Sequence, residues 1–147
     1  MKNNLKYFTI LFLLLPLLGQ AQSTPETFKV FDIYGNMNGA TLVEMQKEML
    51  KSYDFSYYKS LVLTKDKGAG YYARRCLEID QKGAKKVKQI TSNGVLSTVY
   101  LQLSPQRGLN RLILFNETNQ PHYKMTLIYI ESKKEMDELL NIILKRK

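Results

Sequence analysis

Cysteine, histidine and tryptophan are almost missing from this 147-residue chain, which has one Cys, one His and no Trp. The single thiol, Cys76, cannot form an internal disulfide, so a small secreted scaffold held by disulfides is excluded. The single histidine, His122, leaves no metal site built from several His or Cys ligands and no acid–base pair of two histidines. The sequence therefore predicts no metal and no cofactor. Because it contains no recognisable catalytic motif, we expect a protein that is not an enzyme.

Acidic side chains are also scarce, with 13 Asp and Glu against 22 Lys and Arg and a formal charge of +9. Part of this excess is concentrated between residues 74 and 88, a stretch that we call the basic segment. A positive surface raises the association rate of anionic partners, whereas the simplest alternative is a solvated helix face that keeps the protein soluble. The predicted anion- or partner-binding residues are Arg74, Arg75, Lys82, Lys85, Lys86 and Lys88.

Residues 1–21 have the three parts of a secretory signal peptide: a positive start, an apolar run over 7–18 and small residues at the cleavage site. The run is shorter than the ~17–25 residues that span a bilayer and contains Pro16, so we expect cleavage before Gln22 and no retained membrane anchor. No cysteine follows the cleavage site, so the lipid-attachment pattern is missing. We expect one domain, 22–147, in the periplasm or outside a Gram-negative cell, where nucleic acid is not an expected partner.

The first part of this domain predicts helices and strands in alternation. A capping hydroxyl, a proline and an acid at 23–26 begin a helix that Gly35 ends. Residues 40–45 favour a short strand, 44–53 a helix and 60–64 a second strand. Gly68-Ala69-Gly70 lacks the lysine-hydroxyl pair of a phosphate-binding loop and is expected to be a flexible connector.

A helix is also predicted for the segment that follows. Apolar residues recur there with a period near 3.6, and Gly83 interrupts the pattern, which gives either one weakened helix or two helices meeting at 81–84. The basic segment would then lie on a helix, with Cys76 as a buried, inert thiol. The apolar positions are Tyr72, Cys76, Ile79, Val87 and Ile90.

Three consecutive β-rich runs, 95–103, 109–116 and 124–131, predict an antiparallel meander. Apolar residues point both ways in the middle run, so we expect both faces of that strand to be covered. Ser132 and Glu135 have the spacing of a capping box, and an amphipathic C-terminal helix should follow. The predicted fold class is α+β, with an antiparallel sheet of about five strands packed with helices.

Two further features leave functional alternatives open. The carboxylates of Glu78, Glu117 and Glu131 could act as a glycosidase-type pair only if the fold brought two of them together. The chain also has ten Tyr, several of them between residues 53 and 72. Tyrosines of this kind are typical of core edges, protein interfaces or ligand platforms.

The order of these elements resembles a known group of families. After the export signal, residues 39–45 turn from strand into helix, 61–64 form a β-rich run, and a late meander ends in an amphipathic helix. This order is similar to small exported families of unknown function from Gram-negative bacteria, namely domain of unknown function 4252 and relatives such as 6108. The resemblance implies an α+β envelope domain and implies no reaction, catalytic residue or cofactor.

These observations favour a non-enzymatic module that binds a protein or an anionic component of the cell envelope, through its sheet or the basic segment. The first alternative is an envelope glycan or peptide hydrolase that uses carboxylates assembled by the fold. The second is an oligomerising structural module, suggested by the two-sided apolar strand at 109–116.

Overall fold

The computed structural model describes residues 24–145, and the predicted signal peptide at 1–21 lies outside them. Six antiparallel strands form one sheet in the order β1-β2-β6-β5-β4-β3. Within the described part of the chain, no helix combines the length and the apolar character needed to cross a membrane. From the amino to the carboxyl end, the elements are α1 (Phe28–Tyr34), β1 (Ala40–Glu44), α2 (Lys47–Tyr53), β2 (Phe55–Leu63), α3 (Lys67–Asp80), a 3₁₀ turn (Gln81–Gly83), β3 (Lys85–Ser92), β4 (Val95–Gln106), β5 (Leu109–Thr118), β6 (Lys124–Ser132) and α4 (Met136–Leu144).

Helices cover both faces of the sheet. On one face, α1 and α3 pack their apolar residues onto the sheet, and Phe31 and Leu77 share one core cluster with Phe115. On the other face, α2 and α4 pack over a second cluster that includes Leu112 and Leu139. The α+β fold class is therefore confirmed, with six strands where about five were expected.

The middle strand of the predicted meander has both faces buried, as its sequence indicates. In β5, all five consecutive residues from Arg111 to Phe115 are buried. The four apolar residues among them alternate between the two clusters because successive side chains of a strand point to opposite faces. Helices of the same chain cover both faces, so the two-sided strand needs no second subunit.

The basic segment is only partly helical, which corrects the sequence-based interpretation. The helix α3 ends at Asp80, a 3₁₀ turn follows, and residues 85–92 form the strand β3. Val87 and Ile90 fitted the helical period by coincidence, and both are exposed on this strand. Among the described strands, β3 pairs with β4 alone and all eight of its residues are exposed, so burial imposes no alternating pattern on its sequence.

Gly68-Ala69-Gly70 is not a flexible connector, because these residues form the first turn of α3. Asp66 caps this helix: its Oδ1 accepts hydrogen bonds from the backbone N–H groups of Gly68 at 2.8 Å and Ala69 at 3.3 Å. An aspartate at this position satisfies N–H groups that have no partner within the helix. The cap therefore offsets the weak helix propensity of the two glycines.

The predicted C-terminal helix is confirmed, but the predicted capping box at its start is wrong. Glu135 occupies the N-cap position and its side chain makes no capping hydrogen bond. The Ser132 hydroxyl instead accepts from the Lys134 N–H at 3.0 Å and donates to the Asp54 carbonyl oxygen at 2.7 Å. Ser132 therefore ties the end of β6 to the turn between α2 and β2.

Candidate functional site

The residues of the basic segment lie on three different elements. Arg74 and Arg75 are on α3, Lys82 is in the 3₁₀ turn, and the other three lysines are on β3. Arg74 forms an ion pair with Glu117 and is partly buried, so its charge is already neutralised. The remaining five residues are exposed. The structure thus replaces the expected basic helix face with a basic edge strand and two nearby cations.

β3 is the outermost strand at one side of the sheet, and all eight of its residues are exposed. Its inner edge pairs with β4 over most of its length. No other described element pairs with its outer edge. A strand in this position presents unpaired backbone N–H and C=O groups, which can pair with a further extended chain.

The three lysines of β3 point to both faces of the sheet. Lys86 pairs with Leu101, whose side chain belongs to the core under α3. Lys88 pairs with Tyr100 on the opposite face, where its Nζ lies 5.5 Å from the centre of the tyrosine ring. A bulge between Lys86 and Lys88 shifts the register of the strand. The positive charge of β3 therefore lies on both sides of its free edge and is not confined to one face of the sheet.

A groove of about 750 Å³ lies beside this strand, between α3, the β3–β4 hairpin and the β5–β6 connection. We call it the hairpin groove. Its walls are mostly amides, hydroxyls and a few apolar side chains. Its lining includes Arg74, Ile90, Val95, Glu117 and Tyr123.

Three polar side chains meet at one wall of the hairpin groove. The Glu117 carboxylate forms an ion pair with Arg74 through one oxygen and accepts a hydrogen bond from the Tyr123 hydroxyl, at 2.9 Å, through the other. The Glu117 side chain is only 8% exposed. A buried carboxylate needs such partners because desolvation of an unpaired charge costs several kcal/mol.

Gly70 makes room for this cluster. A Cβ added at Gly70 would lie closer than 3.0 Å to the Glu117 carboxylate and to the Tyr123 hydroxyl. The first turn of α3 therefore approaches β5 and β6 closely only because a glycine stands at this position.

Tyr123 stays protonated under ordinary conditions. Burial raises the pKa of its phenol, and the hydrogen bond to Glu117 raises it further, while Arg74 opposes both effects. The cluster pairs one cation with one anion and a neutral donor. Its geometry suits it to hold α3 against the sheet.

The carboxylates considered for hydrolysis are not brought together as a pair on β5 and β6. Glu117 pairs with Met125 across these strands, whereas Glu131 pairs with Arg111 at the other end. Six residues of strand correspond to about 20 Å, well beyond the ~5–9.5 Å that glycosidase carboxylates require. Glu78 is exposed on α3.

The lone Cys is buried, as its position on the apolar stripe predicts, and the lone His lies in a connection between strands. Cys76 is 3% exposed, and burial raises the pKa of its thiol. His122 is exposed in the β5–β6 connection. Among residues 24–145, no group of three or more His, Cys, Asp or Glu side chains could hold a metal ion.

Sequence reasoning identified Glu117 only as one of several scattered carboxylates and did not identify Tyr123 or Gly70. The cluster joins residues 43 positions apart, and the pairing of β5 with β6 places Tyr123 near Glu117. One local signal was available, since two glycines near the start of an otherwise helical pattern indicate close approach of another segment.

Comparison with known proteins gives a family and no function. The model of a family of unknown function, DUF6108, matches residues 14–143. No curated protein and no solved structure matches the chain. The resemblance to family 6108 is thus confirmed, while the likeness to family 4252 stays a prediction. Because the match covers most of the sequence, the chain belongs to the DUF6108 family, whose function is unknown.

Proposed function

We propose that this protein is an exported, non-enzymatic binding module of a Gram-negative envelope that captures an acidic, extended polypeptide segment along β3. The observation that carries the proposal is the free, fully exposed edge of β3 with three lysines around it. An extended peptide can add itself to such an edge as a further strand, with backbone hydrogen bonds giving affinity and side chains giving specificity.

Charge favours β3 over the opposite edge of the sheet. The other outer strand, β1, spans five residues, ATLVE, and its only charged side chain is Glu44. β3 has Lys85, Lys86 and Lys88 and no acidic residue. An acidic segment would be attracted to β3 and not to β1, so the two edges are not equivalent.

Exposed apolar side chains beside the free edge of β3 can contact apolar side chains of a partner. Val87 is 37% exposed, Ile90 is 44% exposed and Val95, across the hairpin, is 49% exposed. Ile90 and Val95 also line the hairpin groove. A segment that contains both acidic and apolar residues would offer carboxylates to the lysines around this edge and apolar side chains to its exposed apolar residues.

Lysines on an edge strand also prevent two copies of a protein from pairing edge to edge. An acidic peptide distinguishes the two roles. Capture of a segment requires that such a peptide binds to β3, whereas protection against edge-to-edge pairing does not. Pairing of two copies through β3 would juxtapose like charges, and we therefore expect a monomer in solution.

The test uses a fluorescein-labelled peptide of eight residues that alternates glutamate and valine, and fluorescence anisotropy as the readout. Wild type should bind it saturably, and the affinity should fall as salt rises because exposed charges are screened. Replacing Lys85, Lys86 and Lys88 by glutamate should weaken binding at least ~10-fold, since three attractions become repulsions.

Two controls separate strand addition from simple charge attraction. Glutamate at Lys47, Lys51 and Lys133, three exposed lysines on other elements, changes the net charge equally and should leave the affinity nearly unchanged. The same peptide methylated at alternate backbone nitrogens keeps its charge and loses one hydrogen-bonding edge, so it should bind poorly. Equal weakening by both lysine triples, or equal binding of both peptides, would contradict the proposal.

Export rests on the pattern of residues 1–21 and has its own test. Intact-mass analysis of the protein recovered from the periplasm or medium of a Gram-negative host should give a chain that begins at Gln22. Recovery of the full-length chain from the cytoplasm alone would refute export.

A further inference from the structure

A second cleft lies at the other end of the α1/α3 face, away from β3. It has a volume of about 310 Å³, at the lower end of the ~300–1,000 Å³ of small-molecule sites. We call it the Arg111 cleft. It lies between the start of α1, the β4–β5 turn and one row of residues across the sheet. The side chains that line it include Phe28, Tyr57, Gln106, Arg107, Arg111, Tyr129 and Glu131.

Arg111 is the unusual feature of this cleft. It is only 5% exposed, although it lies in the strand β5 and has no carboxylate within 4 Å among residues 24–145. Its Nε donates a hydrogen bond to the Ser104 carbonyl oxygen at 2.8 Å, which fixes the guanidinium. A buried guanidinium carries five N–H donors, and a charge without a counterion is costly to bury.

Glu131 is the cross-strand neighbour of Arg111 but does not pair with it directly. The two residues are in register on β5 and β6. The Glu131 carboxylate instead accepts a hydrogen bond from the Tyr129 hydroxyl at 2.7 Å, and the Arg111 guanidinium also interacts with that hydroxyl. The cleft therefore places a fixed cation and a fixed anion side by side. The guanidinium has more N–H donors than the Ser104 carbonyl and the Tyr129 hydroxyl can use, and the carboxylate has a second oxygen.

Aromatic rings form the adjacent wall. The centre of the Phe28 ring lies 4.8 Å from that of Tyr129 and 6.4 Å from that of Tyr57, and the two tyrosine rings are 5.9 Å apart. These rings offer apolar faces and edges to the body of a ligand. Phe28 is held in place because the Asp80 carboxylate accepts hydrogen bonds from the N–H groups of Glu26, at 2.6 Å, and Thr27, at 3.0 Å, just before α1.

We propose that the Arg111 cleft binds a zwitterionic amino acid with an aromatic or large apolar side chain. The ligand carboxylate would pair with Arg111, its ammonium group with Glu131, and its side chain would pack on the rings of Phe28, Tyr57 and Tyr129. A ligand with both charges satisfies both protein groups. This proposal uses no residue of β3 and is independent of the peptide-binding function.

The test is calorimetric titration of the purified protein with three probes. L-phenylalanine carries both charges, 3-phenylpropanoate lacks the ammonium group, and 2-phenylethylamine lacks the carboxylate. L-phenylalanine should bind at least ~10-fold more tightly than either analogue, because each lost charge-assisted hydrogen bond is worth about that factor.

Substitutions identify which charge holds which group. Arg111→Gln should weaken L-phenylalanine and 3-phenylpropanoate and leave 2-phenylethylamine unchanged, and Glu131→Gln should have the converse effect. Arg75→Gln, at an exposed position on α3, is the matched control and should change nothing. Since Arg111→Gln removes a buried hydrogen bond, Gln106→Trp provides a second variant that fills the cleft and leaves both charges in place.

Three results would overturn the proposal. They are the absence of saturable L-phenylalanine binding up to about 10 mM, equal affinities for L-phenylalanine and 3-phenylpropanoate, and undiminished binding by folded Gln106→Trp. The variant with glutamate at Lys85, Lys86 and Lys88 should bind L-phenylalanine like wild type. That result keeps a failure of this proposal distinct from a failure of peptide binding at β3.

Discussion

Replacing Gly70 by alanine should destabilise the protein, although the same change normally stabilises a helix. Gly70 is buried in the first turn of α3, where alanine would be favoured by about 1 kcal/mol on helix propensity alone. The added methyl group would, however, collide with the Glu117 carboxylate and the Tyr123 hydroxyl. The contact between α3 and the sheet decides the sign of the effect.

The expected magnitude follows from the bonds that the methyl group disturbs. Moving the carboxylate away from one of its two partners costs about 1.5–3 kcal/mol, and crowding a packed interior costs about 1–3 kcal/mol. After subtraction of the gain in helix propensity, the net loss in free energy of unfolding should be about 3 kcal/mol. For a domain of this size, that corresponds to a fall in Tm of about 11 °C.

Urea and thermal unfolding, followed by circular dichroism, measure this loss. Gly83→Ala is the matched control, since a Cβ at that position meets no atom within 4 Å, and it should be neutral or slightly stabilising. In a background of Glu117→Ala and Tyr123→Phe, which removes the atoms nearest the methyl group, Gly70→Ala should become stabilising. If Gly70→Ala stabilised the wild-type protein as Gly83→Ala does, the reasoning would be refuted.

Two further predictions concern buried titratable groups. Burial and a bond to Glu131 raise the pKa of Tyr129, so the folded protein holds that proton more tightly than the unfolded chain. The resulting stability is complete below the ordinary pKa near 10 and is lost as pH rises above it. In urea unfolding between pH 9 and 11.5, Tyr129→Phe should lose less stability with rising pH than wild type, whereas Tyr71→Phe, at an exposed position, should lose as much as wild type. Equal slopes for wild type and both variants would contradict the assignment of this loss to Tyr129. Cys76 is buried and the pKa of its thiol is raised, so it should react with a disulfide reagent at pH 8 at least ~100-fold more slowly in the folded protein than in denaturant. A rapid reaction of the folded protein would show that Cys76 is not buried.

The strands and helices with a buried face were predictable, because burial imposes a period on the sequence. The meander β4–β6 and the helix α4 follow the predicted runs closely. β3 escaped prediction because it has no buried face, and the spacing of Val87 and Ile90 matched the helical stripe of Cys76 and Ile79. A fully exposed strand gives no alternating pattern, although Val, Ile and Thr in this stretch favour β structure.

The candidate sites could not be predicted from the sequence, because they are formed by contacts between residues that are far apart along the chain. Glu117 meets Arg74 because α3 crosses the end of β5, and no local pattern specifies that crossing. Arg111 could have been noticed as a charge within an apolar strand, since such a residue is buried only when it has partners or a role. Its proximity to Glu131 required the register of β5 and β6, which the sequence does not specify.

The full exposure of β3 has a consequence for local stability. Strand β3 buries no side chain, and its described strand partner is β4 alone, so little free energy opposes its separation from the sheet. Its amide protons should exchange with solvent much faster than those of β5, where five consecutive residues are buried. A segment that paired with the outer edge of β3 would make it an interior strand and slow this exchange. The folding of the last strand and the capture of a partner would then be one coupled event, in which binding completes the sheet.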